Sequence, residues 1–231
     1  KRCSELCPSD VFFSEFVRDA RELARNNGRS GECTHGETIQ TWARMMTNPD
    51  LKQRRLEWLN NDLKISDDSD TLYFVGCLPY YDILFRNLAI EGVEIARAAV
   101  KILNTLGIEP QVLNDERCCG HDQIWEGDVN TFRALARLNL ERIKTTGVKR
   151  IVSTCPECAR TLSLDYPNLV EDHGLEVTHL SQFIRQQSQD SELNMDSKKL
   201  EGTATYLDAC RLSRHLGIYD DPRALITGAG L

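Results

Sequence analysis

Glu116-Arg117-Cys118-Cys119-Gly120-His121-Asp122 is the run on which the reading of this chain turns. Adjacent cysteines close only a strained ring if they pair with each other. They serve better as two sulfurs presented to one inorganic site. Upstream stands Tyr73-Phe74-Val75-Gly76-Cys77, and downstream Cys155-Pro156-Glu157-Cys158. Forty residues separate Cys77 from Cys118, and thirty-five separate Cys119 from Cys155, so five of the nine cysteines form C-x40-CC-x35-C-x2-C. We read this pattern as one iron–sulfur site.

The sequence around these cysteines alternates between strand and helix. Leu72 to Val75 is a buried-strand run that ends at Gly76-Cys77. A helix follows, with Val93, Ala96, Val100, Leu103 and Leu106 on one side and Gly107 as its stop. Ile108 to Leu113 reads as the next strand and leads into the Cys118-Cys119 loop. Asp128 is placed to cap a helix whose apolar face is Phe132, Leu135, Ala136, Leu140 and Ile143, stopped by Gly147. Val148 to Ser153 is a third strand, ending at Cys155, and Pro156 starts another helix. Val177 to Leu180 is a fourth strand. A β-α-β-α-β-α order implies an α/β fold with a parallel sheet. In such sheets sites form beyond the carboxyl ends of the strands, which is where Cys77, Cys118-Cys119 and Cys155 fall.

The flanks carry weaker signals. Cys3-Ser4-Glu5-Leu6-Cys7-Pro8 matches the tail of the bacterial ferredoxin run, C-x3-C-P. On that reading Cys3 ligates one cubane cluster and Cys7 a second, and the earlier ligands would precede residue 1. Phe12, Phe16, Ala20 and Leu23 share one face of a helix closed by Gly28. Residues 29–66 read as helices of a small cap, with Trp42, Met45, Met46, Leu56 and Leu59 in its core. Cys33-Thr34-His35 sits in a Gly-rich turn and is read as a free thiol rather than a metal site. Ser66 to Asp70 is polar and marks a boundary, and residues 187–202 form a linker. Thr205-Tyr206-Leu207-Asp208-Ala209-Cys210 repeats the Tyr-x3-Cys strand end of Tyr73 and Cys77. We therefore expect a partial helical segment at 1–66, a complete cysteine module at 67–190, and a linker with the start of a second module at 191–231. The chain reads as a segment of a longer protein.

The net charge of −7 argues against a nucleic-acid partner. No apolar run reaches the roughly 18 residues that suggest a membrane span, so any membrane contact is expected through a partner. Nine cysteines without an export signal point to a reducing compartment and to metal or redox chemistry rather than a disulfide framework. The expected location is cytoplasmic, or peripheral at the inner face of a membrane. Zinc is one competitor for the site, since C-x-x-C is a common half of a zinc site. But zinc takes four ligands as short-spaced pairs, and here five thiols sit at three strand ends. A thioredoxin-type dithiol is the other competitor, and that motif has no distant CC pair. Soft, thiolate-rich sites favour iron–sulfur clusters.

The pattern C-x40-CC-G-x34-C-P-x-C resembles the cysteine-rich CCG domain of heterodisulfide reductase, with Gly120 and Pro156 matching as well as the cysteines. The resemblance covers residues 71–186. It implies a Rossmann-like parallel sheet, preceded at Cys3 and Cys7 by a small, mostly helical ferredoxin-like segment. It also implies a noncubane [4Fe–4S] cluster on Cys77, Cys118, Cys119, Cys155 and Cys158, with Cys210 as the first ligand of a second. The implied reaction is reduction of a small-molecule or protein disulfide, or the reverse, in one-electron steps. Electrons would arrive through cubane clusters from ferredoxin-like, flavoprotein or cytochrome b type subunits. His121 would donate a proton or hydrogen-bond a cluster sulfur, or else lie on the surface. Arg117 and Lys149 are candidates to attract an anionic thiol, with solvated surface the preferred reading for both. The alternative function is an electron-transfer iron–sulfur subunit of a flavin-dependent dehydrogenase of the glycerol-3-phosphate or glycolate type. A zinc-stabilised scaffold is the non-enzymatic reading.

Overall fold

The computed structural model describes residues 1–29, 31, 36–190 and 202–230. Cys33 and His35 lie outside the described residues. The sheet is three-stranded and parallel, in the order β1 (Thr71–Tyr73), β2 (Arg150–Ser153) and β3 (Glu176–His179), with Leu72 opposite Ile151 and Ile151 opposite Val177. This is the α/β fold expected. Parallel strands need covered faces, and both are covered here. Leu72, Phe74 and Ile151 point to one side, where they pack with Phe132, Ala136, Leu140, Leu162 and Tyr166. Tyr73, Val75 and Val152 point to the other, against Ala96, Val100, Leu103 and Phe183. The alternation along β1 thus divides the core into two layers.

The helices that form these layers run in chain order. At the N-terminus are α1 (Arg2–Glu5), α2 (Phe13–Asn26) and α3 (Thr38–Met45). After β1 come α4 (Leu78–Leu84), a short 3-10 turn, and α5 (Gly92–Thr105). Next are α6 (His121–Trp125) and α7 (Val129–Lys144), whose first turn is capped by the Asp128 side chain accepting the Thr131 N–H. After β2, α8 (Pro156–Arg160) continues through a π-helical stretch, Thr161–Asp165, into α9 (Tyr166–Leu169). β3 leads into α10 (Leu180–Asp190). A second π-helical stretch, Arg211–His215, and α11 (Asp220–Gly228) follow. The expected glycine stops are present: Gly28, Gly107 and Gly147 have φ of 71°, 78° and 71°.

Three sequence expectations are corrected, and one helix face proves exposed. Residues 108–113 form no strand. Pro110 has no N–H to give, and Gln111 meets Leu72 in a single parallel bridge. Thr205 to Cys210 is not a strand end either; among the described residues of this segment the chain is irregular up to the helical turn that starts after Cys210. The face Phe12, Phe16 and Leu23 is exposed, at 69%, 63% and 66%, and α2 is held by its other side. The cap holds one helix among its described residues, and Met45 is 62% exposed while Trp42 and Met46 are buried.

Two packing relationships place the N-terminal segment. Gly127, at φ 84°, lies so close to α2 that a Cβ there would stand 2.5 Å from the Arg21 carbonyl carbon. Arg21 donates to the Trp125 carbonyl at 2.7 Å, and Arg25 pairs with Asp128 at 3.0 Å. On α3, Trp42, Ala43 and Met46 pack with Cys118 and Leu135, and with Cys77 and Tyr80 at their margin. The cap therefore seals the cysteine loops from one side.

Candidate metal centre

Three loops carry the five cysteines. Cys77 follows β1 and caps α4; Gly76 before it, at φ 69°, leaves room where a Cβ would stand 3.0 Å from the Cys158 Sγ. Cys118 and Cys119 lie in the loop before α6. Gly120 closes that loop at φ 83°, and a Cβ there would strike Phe132 at 2.8 Å. Cys155 caps α8, its sulfur accepting the Cys158 N–H at 3.4 Å, with Pro156 in the first turn. Glycine is required at Gly76 and Gly120 both for the positive φ and for the close approach.

The structure brings all five sulfurs to one cavity of about 280 Å³, lined also by Val75, Leu78, Tyr81, His121, Asp122 and Glu157. Cys77 and Cys118 sulfurs are 3.8 Å apart, and Cys119 and Cys158 sulfurs 3.4 Å. Two thiolates bound at about 2.3 Å to one tetrahedral ion stand roughly 3.8 Å apart, so each pair has the spacing of sulfurs that share a metal. Among the described residues no three such groups converge as on a single ion. All five thiols line one volume, and a set of five soft sulfur donors fits an iron–sulfur group.

The electrostatics lead the same way. The Cys118 thiol is held far below its usual range by hydrogen bonds from Cys119 and Cys77, with the Gly120 N–H at 3.4 Å assisting. Cys77, Cys119 and Cys158 are pushed well up, first by their hydrogen bonds to a neighbouring sulfur and then by burial. The surroundings thus favour the charged form at Cys118 and the neutral form at Cys77, Cys119 and Cys158. Holding all five as thiolates needs positive charge inside the cavity, and no lysine or arginine is among its lining residues. A bound metal would supply that charge and displace the protons.

The remaining predicted residues scatter. His121 is buried rather than on the surface: its Nδ1 lies 3.0 Å from Asp122 Oδ1, its Nε2 has no hydrogen-bond partner, and its ring lines the cavity. Arg117 is 3% exposed, not solvated; its guanidinium donates to the Asn48, Pro49 and Leu51 carbonyls and does not line the cavity. Lys149 is exposed. Cys3 and Cys210 are exposed, Cys7 is half-buried, and none of the three lines the cavity.

Several positioning residues escaped the sequence reading. Glu116, 1% exposed, accepts the Val75 and Gly76 N–H groups at 3.0 and 2.8 Å and pairs with Arg55 at 2.7 Å. Burial pushes its carboxyl up to about 7, against the pull of the Arg55 guanidinium. Asn139 accepts the Arg117 N–H at 2.8 Å and donates to the Cys118 carbonyl at 3.1 Å. A polar residue on the otherwise apolar face of α7 was a readable sign of that clamp. Glu157, inside the quoted C-P-E-C, accepts from the Cys155 thiol at 3.3 Å. Burial raises the Tyr81 phenol well above its usual range, assisted by the nearby Cys77, so it stays a proton-bearing donor at the cavity wall.

The cysteine-rich CCG domain family matches residues 71–163. The chain is 34% identical to the D subunit of dihydromethanophenazine:CoB–CoM heterodisulfide reductase from Methanosarcina mazei, over 78% of this chain and 43% of that protein. It is 27% identical to EtfAB:quinone oxidoreductase of Syntrophomonas wolfei, over 100% of this chain and 32% of that protein. It is 24% identical to an iron–sulfur protein of Methanococcus maripaludis, over 97% of this chain and 42% of that protein. The chain thus spans less than half the length of each of these relatives. No solved structure matches it. No helix of its described residues is long and apolar enough to cross a membrane. Fold, cysteine spacing and relatives agree: the chain is a cysteine-rich CCG-domain protein that resembles the D subunit of heterodisulfide reductase over most of its length.

Proposed function

We propose that this chain is an iron–sulfur oxidoreductase subunit of heterodisulfide-reductase type, with Cys77, Cys118, Cys119, Cys155 and Cys158 holding a [4Fe–4S] cluster of noncubane form. The supporting observation is the ring of five sulfurs from three loops around one cavity. When bound, the cluster supplies single electrons and a thiophilic metal surface, which suits a disulfide that accepts two electrons in steps. The chain's own residues do the rest. The buried cap over Cys118 keeps water from that side. The Tyr81 phenol presents a proton at the cavity wall, where a departing thiolate needs one, and His121, paired with Asp122, lines the same cavity. Cys3 and Cys7 are assigned to ferredoxin-like cubane clusters, and Cys210 to a second CCG site. The domains follow as 1–66, 67–190 and 191–231. The partners are other redox subunits, and the substrate is a small-molecule or protein disulfide.

The full-chain similarity to EtfAB:quinone oxidoreductase favours a second reading, in which the same cluster only relays electrons between partners. Anaerobic reconstitution followed by EPR of the oxidised protein separates the two. A paramagnetic signal that appears with added thiol and is lost in Cys119→Ser is expected. An oxidised state silent with and without thiol, with ordinary cubane signals on reduction, would leave electron transfer as the function.

A further inference from the structure

Gln123 lies on α6, two residues beyond His121, and is 1% exposed. Its Oε1 stands 4.0 Å from the Cys118 sulfur, and its Nε2 is buried without a hydrogen-bond partner. The two ends of a side-chain amide have nearly the same shape, and the surrounding hydrogen bonds decide which way it faces. Only a protonated Cys118 sulfur could donate to Oε1, and this sulfur already accepts from Cys77 and from the Gly120 N–H. A metal-bound sulfur has no proton to give. Two acceptors would then face each other while a buried N–H₂ stood unpaired. A half-turn of the amide removes both faults and sets Nε2 against the sulfur. The Gly120 N–H already approaches the same atom at 3.4 Å. Cys118 would then receive two N–H donors where Cys155 receives one, from Cys158.

We propose that Gln123 is a positioning residue of the metal centre, whose side-chain N–H donates to the Cys118 sulfur in the loaded protein and sets its reduction potential. This rests on the cluster reading given above. An N–H on a ligating sulfur draws off electron density, favours the more negative reduced state and so raises the potential. A residue that merely fills space would leave the potential where it was.

Gln123→Met keeps the length and removes the donor; Gln123→Glu keeps the shape and replaces the donor with an acceptor. After anaerobic loading, both are expected to match the parent in iron and sulfide, and both midpoint potentials to move negative, the Glu variant further. Equal potentials at equal loading would overturn the proposal. A measurement on the parent alone covers the case in which neither variant folds: protein labelled with ¹⁵N at the glutamine amide should show ¹⁵N coupling to the paramagnetic cluster in pulsed EPR, and its absence overturns the proposal too. Failure of the parent to take up iron and sulfide would instead be read from the metal assay, and would overturn the cluster reading itself.

Discussion

Glu116 and Gly76 are joined at 2.8 Å, carboxylate to backbone N–H, and this bond ties the Cys118-Cys119 loop to the Cys77 loop across forty residues of chain. Arg55 completes the link by donating to the Gly76 carbonyl at 2.6 Å and to Glu116 at 2.7 Å. Both side chains of the ion pair are at most 2% exposed. The pair therefore acts as a cross-brace behind the metal centre rather than as a surface charge pair.

Removing one member strands the other. Glu116→Ala leaves a buried guanidinium and two backbone N–H groups without their acceptor, and should cost about 3–5 kcal/mol of stability. Glu116→Gln keeps one acceptor and should cost less. Urea unfolding checks the order. A Glu116→Ala protein as stable as the parent would show that the brace carries no weight.

Asn139 makes a second prediction. Its side chain bonds the Arg117 N–H, the Arg117 and Cys118 carbonyls and the Tyr166 hydroxyl, all in the interior. Asn139→Leu fits the volume but leaves those groups unpaired, so a loss of about 1–3 kcal/mol is expected. The loop is then free to shift, and iron uptake on anaerobic reconstitution should fall with it. Loss of stability with full iron uptake would place Asn139 in the core alone.

What the sequence disclosed follows from how local each signal is. The Asp128 cap, the glycine stops and Pro156 act within one helical turn and were read where they stand. The cysteine spacing was legible because parallel strands deliver their carboxyl ends to one edge. Glu116 was not, because its partner lies sixty-one residues away and a glutamate beside an arginine looks like surface. The same blindness put Arg117 in solvent. The apolar run Phe12, Phe16, Leu23 marks the helix but not its buried side, because the orientation of α2 is set by its approach to Gly127, more than a hundred residues on.

That approach can be tested. Any side chain at residue 127 would place its Cβ 2.5 Å from the Arg21 backbone, and the φ of 84° adds strain for anything but glycine. Gly127→Val should lift α2 off the α6–α7 corner and cost about 1–3 kcal/mol. The specific readout is faster proteolytic cutting within 13–26, with the sheet unaffected. Unchanged cutting would mean that α2 is held by other contacts.

His215 gives a prediction in pH. Its ring meets Trp125 edge-on at 5.7 Å, and its Nε2 lies 3.0 Å from Arg211 Nη1. Arg160 and Arg211 both sit over the same indole, at 5.0 and 4.0 Å. Burial, then Arg211 and Arg160, lower the imidazole from the usual 6.5 to about 3. The unfolded ring therefore takes up a proton as pH drops below 6.5, while the folded ring resists until about 3. The contribution to stability is complete above 6.5 and is lost progressively as the pH falls through that window. The protection of residues 211–228 against amide exchange, taken relative to the chemical rate, should fall between about pH 7 and pH 5, above the range where ordinary carboxylates titrate. His215→Phe keeps the edge contact with Trp125 and has nothing to protonate, so its protection should hold level over the same interval. Equal slopes for the two proteins would assign the acid sensitivity of this segment to another group.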